Sequence, residues 1–325
     1  MDRKIYNFIY YFRSIAAILI MNSHYDELYP VQALATGGAI GNALFFAVSG
    51  FCLYPIYGSF GKWITKKIVR IYVPTILMTV IATLTYYSFT PSIINAFNVF
   101  IWPTIFWFIG AIVLFYVLFY LLNRIRTNRQ YIIFFIVLAI FYIGYYLSLD
   151  TSVWIIESKG LLSAEGCFKL IYYFAAMMIG KWFRIHCKDK FIKTKFYILQ
   201  AIAAFLSLYG GKYLFSKITF FMHFQFLNQL SIIWMIIALF LAALSVEEKI
   251  KQHKILVFLS KFTLEIYLVQ FLVIHYMKGI VFPVNVILTT LLIIGLAWLL
   301  NGLSSWIIKG ANNEKSGNRN VVSQK

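Results

Sequence analysis

The chain has 325 residues, of which 62% are hydrophobic and only 12% charged. Ordinary soluble domains carry about 25% charged residues, so the composition excludes a soluble core and points to an all-α polytopic membrane protein. The net charge of +18 does not argue for a nucleic-acid partner, because the bases flank apolar runs in the positive-inside pattern.

A bilayer crossing takes about 20 apolar residues. The apolar runs predict helices near 6–24, 38–57, 71–89, 101–122, 131–149, 165–183, 195–211, 226–245, 256–277 and 283–308. That is about ten transmembrane helices, which puts both termini on one side. The seventh is the weakest, because Gly210-Gly211-Lys212 breaks it early, and 212–225 reads as a loop or a re-entrant segment. With both termini cytoplasmic, the cytoplasmic segments hold all 29 lysines and arginines except Arg13, Lys159, Lys169, Lys212, Lys217 and Lys278. This asymmetry fixes the orientation. The first apolar run is not expected to be a cleaved signal, since no small-residue cleavage site follows it and more spans come after. Residues 310–325 are rich in Asn, Ser and bases and read as a disordered cytoplasmic tail after a membrane domain over 1–309. Cys52, Cys167 and Cys187 are scattered. They form neither a disulfide framework nor a metal-ligand spacing, so no metal is expected.

The first span carries Arg13 and ends at His24, eleven residues later. On a continuous helix that spacing is about 1100°, so the two side chains share one face about 16 Å apart. A cation within an apolar helix is costly and usually faces a polar cavity or a partner. A histidine on the same face is a natural proton-transfer group near neutral pH. Each residue also has a plainer reading, since Arg13 could snorkel to the cytoplasmic headgroups and His24 could sit at the outer interface.

The second span opens on Gly37, Gly38 and Gly41 and continues Phe45-Phe46-Ala47-Val48-Ser49-Gly50-Phe51. Small residues let helices approach closely, and packing is the simpler account of the glycines. Ser49 either bonds its own preceding carbonyl or offers its hydroxyl to a bound chain. Next comes the basic run Lys62 to Pro74. Lys67 and Arg70, three apart, share a helical face and suit phosphate, though positive-inside topology alone would also place them there.

Taken together, Arg13 and His24 with ten residues between, Phe45 to Phe51, and Lys67-Ile68-Val69-Arg70-Ile71-Tyr72-Val73-Pro74 resemble the integral-membrane acyltransferase 3 family. Trp107 to Ala111 with Phe115-Tyr116, Phe174 to Gly180, and Phe258 to Gln270 are similar to later signatures of that family, in the same order. The sequence departs from the pattern at Gln270, where the family often has histidine, and at Lys67, where arginine is common. No hydrolase-like domain follows the last span, so the chain would be the transferase core alone.

The resemblance implies a bacterial cytoplasmic-membrane O-acyltransferase. It would move an acetyl or other short acyl group from cytoplasmic acyl-CoA to a hydroxyl of an extracytoplasmic sugar, cell-surface polysaccharide or glycolipid. Acetyl-CoA would be the donor, its anionic nucleotide docking among Arg13, Lys67 and Arg70. His24 would be the general base or a transient acyl carrier. Glu27, three residues on, could orient the His24 ring, although Asp26 and Glu27 read more simply as loop carboxylates meeting water. Ser49 could hold the thioester or its oxyanion. Glu265 is a second buried-charge candidate, with an i,i+4 pair to Lys261 as the plainer account. The competing classes are a transporter or flippase for a lipid-linked glycan and a structural partner in polysaccharide export. Acceptor identity and oligomeric state are not legible.

Overall fold

The computed structural model describes residues 6–102, 104–152, 163–186 and 193–322, with side chains described as far as residue 311. Among the described residues there are ten helices of fifteen or more residues and no strands. They are α1 (Phe8–Asn22), α2 (Gly38–Leu53), α3 (Phe60–Thr85), α4 (Trp107–Leu121), α5 (Asn128–Leu147), α6 (Ala164–Ile185), α7 (Thr194–Lys217), α8 (Phe226–Val246), α9 (Thr263–Met277) and α10 (Val284–Val322). Seven of these segments, α2, α3, α4, α5, α7, α8 and α10, are long and apolar enough to cross a membrane. The 15-residue α1 and α9 are apolar but shorter. Helix α6 carries Glu165, Lys169, Lys181 and Arg184 within 22 residues.

The chain divides into two compact units. The first is Met1–Ile20, Gly37–Ile56 and Leu114–Ser260, and the second is Met21–Thr36, Tyr57–Val113 and Lys261–Lys325.

In the first unit α2 packs along α6, α8 packs on α7, α6 and α2, and α5 lies against α6. The α2–α6 crossing is built on reciprocal glycines. A methyl group on Gly50 would overlap the Met177 carbonyl, and one on Gly180 would overlap the Ala47 carbonyl. Gly41 in the same way lies against the Ala16 carbonyl and Ile20 of α1. Two backbones meet where neither helix carries a side chain, the usual means of close helix approach where the hydrophobic effect does not drive association. Around the crossing, Phe46 is fully buried, with its ring 4.8 Å from that of Phe115 and 5.4 Å from that of Tyr173. At one end of α6, buried Lys181 donates to the Leu122 carbonyl at 2.8 Å. Its ammonium lies 5.5 Å from the centre of the Phe119 ring and 5.7 Å from that of Tyr54. A carbonyl left over at the end of α4 and two ring faces together satisfy a cation that would otherwise be too costly to bury.

In the second unit α3, α9 and α10 pack on one another. Asn301 of α10 donates to buried Glu265 of α9 at 2.9 Å. The Tyr86 and His275 rings stack at 5.4 Å.

Four expectations from the sequence are corrected here. The third helix begins at Phe60 rather than near 71, so the basic run is helical and continuous with the span. Gly210-Gly211 does not end the seventh helix, which continues to Lys217. A glycine costs a helix only about 1 kcal/mol, and at Gly211 the missing methyl makes room for the Asn228 side chain of α8. The predicted helix 256–277 is two pieces, Lys254–Leu259 and α9, separated at Ser260, where the hydroxyl turns back to the Val257 carbonyl at 2.8 Å. Finally, α10 does not stop near 308 but runs on to Val322. That stretch is polar but contains no proline, and extending an existing helix adds one hydrogen bond per residue fixed.

Candidate active site

The site residues read from the sequence fall in both units. Arg13 and Ser49 are in the first, and His24, Glu27, Lys67 and Arg70 are in the second.

In the first unit, Arg13 is half-buried on α1, next to fully buried Ser14. The start of this helix is held by a segment some 240 residues away. Glu247 accepts from the Asn7 and Phe8 backbone N–H groups at 2.5 and 3.1 Å. Asn7 Nδ2 donates to the Ile250 carbonyl at 2.9 Å, Tyr11 Oη to the Lys251 carbonyl at 2.8 Å, and Ser14 Oγ to the Leu256 carbonyl at 2.7 Å. The first N–H groups of a helix have no partner within it, and a carboxylate there also meets the positive end of the helix dipole. Glu247 therefore fixes the end of the helix that carries Arg13. We expect Glu247→Ala to destabilise the protein by about 1–2 kcal/mol, read as a lower thermal midpoint in detergent. A midpoint equal to wild type would show that this cap is not stabilising.

Ser49 is half-buried on α2. Its neighbours in the motif are structural. Phe46 fills the core and Gly50 makes the crossing with α6. The packing account of these small residues is thus the one the geometry supports, and the Ser49 hydroxyl is the one polar side chain between them.

In the second unit the continuous-helix geometry for His24 is corrected. Helix α1 ends at Asn22, and His24 follows in a turn, its N–H donating to the Met21 carbonyl at 3.1 Å. The cause is Asn22, whose side chain serves the following loop. Its Nδ2 donates to the carbonyls of Leu34 and Thr36, both at 2.9 Å, and its Oδ1 accepts from the Tyr29 hydroxyl at 2.6 Å. Asparagine readily trades helical for local hydrogen bonds of this kind. The segment after His24 is fastened as well. Buried Tyr25 meets Thr290 at 3.0 Å, and Asn285 Nδ2 donates to the Leu28 carbonyl at 2.7 Å.

His24 is thus carried on a turn secured on both sides. Its half-buried ring meets the Phe271 ring edge-on at 4.9 Å. Phe271 in turn touches Tyr267 at 5.6 Å and Phe106 at 5.8 Å. An imidazole with one side against an aromatic wall is limited in the directions from which a reacting group can reach it. Glu27 is 54% exposed and forms an ion pair with Lys278, so its carboxylate is engaged at the surface of the unit. Lys67 is half-buried and Arg70 exposed, both on the first turns of α3. Pro74, inside the same helix, has no N–H to give to the Arg70 carbonyl four residues back.

Two elements of this arrangement escape sequence reasoning, the Glu247 cap and the Asn22 hub. Asn22-Ser23 immediately before His24 is a visible signal for a helix end. Nothing local marks Glu247.

A family model described as an acyltransferase domain matches residues 6–307, which is nearly the whole chain. The chain belongs to the acyltransferase 3 family. This acyltransferase 3 member is a multi-pass membrane acyltransferase, as its apolar helices and family together require. The family match spans Arg13, His24, Ser49, Lys67 and Arg70, so all five lie within the transferase domain. Neither the curated proteins nor the solved structures contain a match to this acyltransferase.

Proposed function

We propose that the protein is an O-acyltransferase of the bacterial cytoplasmic membrane. In this reading it takes an acetyl or other short acyl group from cytoplasmic acyl-CoA and places it on a hydroxyl of an extracytoplasmic sugar, polysaccharide or glycolipid. The observation that carries the reading is the placement of His24, on a turn pinned by Asn22 and Tyr25 with its ring against Phe271, in a chain whose family is shown. All ten long helices cross or enter the bilayer, α1, α6 and α9 included, and both termini are cytoplasmic. The distribution of basic residues supports this orientation.

Arg13, Lys67 and Arg70 recognise the anionic nucleotide of the donor. Arginine pairs with phosphate through a planar fork and lysine as a point charge. The thioester reaches His24, which takes the proton of the acceptor hydroxyl as the oxygen attacks the carbonyl carbon. The tetrahedral oxyanion collapses, the carbon–sulfur bond breaks, and the imidazolium returns the proton to the departing thiolate. The Ser49 hydroxyl is the proposed donor to the oxyanion. Glu27, paired with Lys278, lines the outer approach.

Sealed right-side-out vesicles loaded with acetyl-labelled CoA test this directly. The expected result is label on an external acceptor, lost in Arg13→Ala vesicles. Export of unacylated glycan that depends on Arg13, with no label transferred, would instead make the protein a transporter.

A further inference from the structure

The turn that carries His24 runs beside α9. His24 meets Phe271 and, three residues on, Glu27 pairs with Lys278. Phe271, His275 and Lys278 are spaced i, i+4 and i+7, so on α9 they fall within an arc of about 60°. His275 therefore lies on the strip of α9 that the turn borders, one helical turn or about 6 Å beyond Phe271. It is exposed, and the chemistry proposed above does not use it. We propose that His275 and Tyr86, flanked by Glu27 and Lys278, form the acceptor subsite of the protein and bind an uncharged sugar that presents one hydroxyl to His24. This inference deepens the acyltransferase reading and rests on it.

The way His275 is held supports a binding role. Its ring stacks on that of Tyr86, at 5.4 Å with 29° between the planes, and meets Tyr276 edge-on at 5.0 Å. Tyr86 closes α3, with its N–H donating to the Ala82 carbonyl at 3.0 Å. An exposed imidazole is thus fixed by ring contacts, and its nitrogens are not taken up by the groups that fix it. A neutral imidazole donates at one nitrogen and accepts at the other. That pairing matches a sugar hydroxyl, which is itself both donor and acceptor, and the Tyr86 phenol has the same dual capacity. Glu27 and Lys278, 54% and 44% exposed, add an acceptor and a donor alongside. Aromatic walls with a few convergent polar groups are the usual make-up of a small-molecule site. All of these residues belong to the second unit, as His24 does.

Charge selects among hydroxyl-bearing ligands. The ionised side chains at this end of the unit are Asp26, Glu27 and Lys278. The lysine is already paired with Glu27, and Asp26 is exposed beside it. A uronate or a sugar phosphate would meet two carboxylates and a neutralised lysine, and like charges brought together weaken binding. An uncharged sugar meets hydrogen-bonding groups without that opposition.

The test uses the full chain in detergent with acetyl-CoA and a set of free glycans. The neutral members are methyl hexosides and neutral hexose oligomers, and the anionic members are uronic acids and sugar phosphates. Binding and acetyl transfer are both measured. Neutral glycans are expected to bind and accept acetyl, with anionic ones tenfold or more weaker. His275→Phe keeps a ring to stack on Tyr86 and removes both nitrogens. It should raise the acceptor KM tenfold or more with kcat within about twofold of wild type, and the thermal midpoint measured alongside reports the fold. His275→Gln supplies a donor and an acceptor without the stack and is expected to recover most of the lost affinity. A merely structural role gives the opposite order, with His275→Phe like wild type and His275→Gln impaired. That order, or a preference for anionic glycans, would overturn the proposal. Wild type that hydrolyses acetyl-CoA but binds no neutral glycan would overturn it too and leave the acyltransferase reading standing. Binding of neutral glycans that depends on His275, with no turnover of acetyl-CoA, would support the sugar site and overturn that reading.

Discussion

Replacing His24 with alanine is expected to lower acyl transfer by about 10²–10⁴-fold, the usual worth of a positioned general base, while leaving acyl-CoA affinity within about twofold of wild type. The structure makes this a clean experiment. The turn is held by Asn22 through Leu34, Thr36 and Tyr29 and by Tyr25 through Thr290, none of which uses the imidazole. The substitution removes the edge-on packing against Phe271, and the thermal midpoint measured alongside separates loss of chemistry from loss of fold. A single-turnover experiment with wild type separates the two roles of the ring. An acylated histidine would accumulate before acceptor is added if His24 carries the group, and would not if it acts only as base. Unchanged transfer by His24→Ala in membranes would remove both roles and with them the chemistry proposed here.

The second large effect is structural. Gly50→Ala is expected to destabilise the protein at or beyond the upper end of the usual range for overpacking, about 1–3 kcal/mol, and to lower the folded yield in membranes sharply. The added methyl meets the Met177 backbone carbonyl and not the flexible end of a side chain, so it can be accommodated only by moving α2 away from α6. That would open the reciprocal contact at Gly180 and Ala47 and disturb Phe46 between Phe115 and Tyr173. Ser49→Ala, one residue away, adds no atoms and should fold normally. Comparison of folded yield and thermal midpoint for the two variants checks the claim. Normal folding of Gly50→Ala would show that the crossing is looser than described. Reduced transfer by a well-folded Ser49→Ala would support the oxyanion role of the hydroxyl.

The long helices are legible in the sequence because apolar runs of that length leave few alternatives. Their ends are less so. Lys62 to Arg70 looks like a connecting segment because of its charge, yet a basic run with Ile and Val at helical spacing propagates from the span it precedes. Gly210-Gly211 looks like a break because sequence alone does not show that Asn228 of α8 needs the space at Gly211. Within the candidate site, the residue types are visible and their geometry is not. The shared face of Arg13 and His24 assumes a continuous helix, whereas the side chain of Asn22 ends it two residues early. The Glu247 cap joins positions 240 apart, and no local pattern indicates it. Glu27 admits two roles in the sequence, and the Lys278 with which it pairs is not legible there. The role of Gly50 emerges only from the structure, where the Met177 carbonyl shows close helix packing.

The most direct test of the central claim is made on purified wild-type protein in detergent, by measuring acetyl-CoA binding and the slow hydrolysis of its thioester in the absence of acceptor. The expected result is saturable binding that is lost in Arg13→Ala, and hydrolysis that is lost in His24→Ala while binding is retained. No affinity for acetyl-CoA or any other short acyl-CoA in a folded preparation would contradict it.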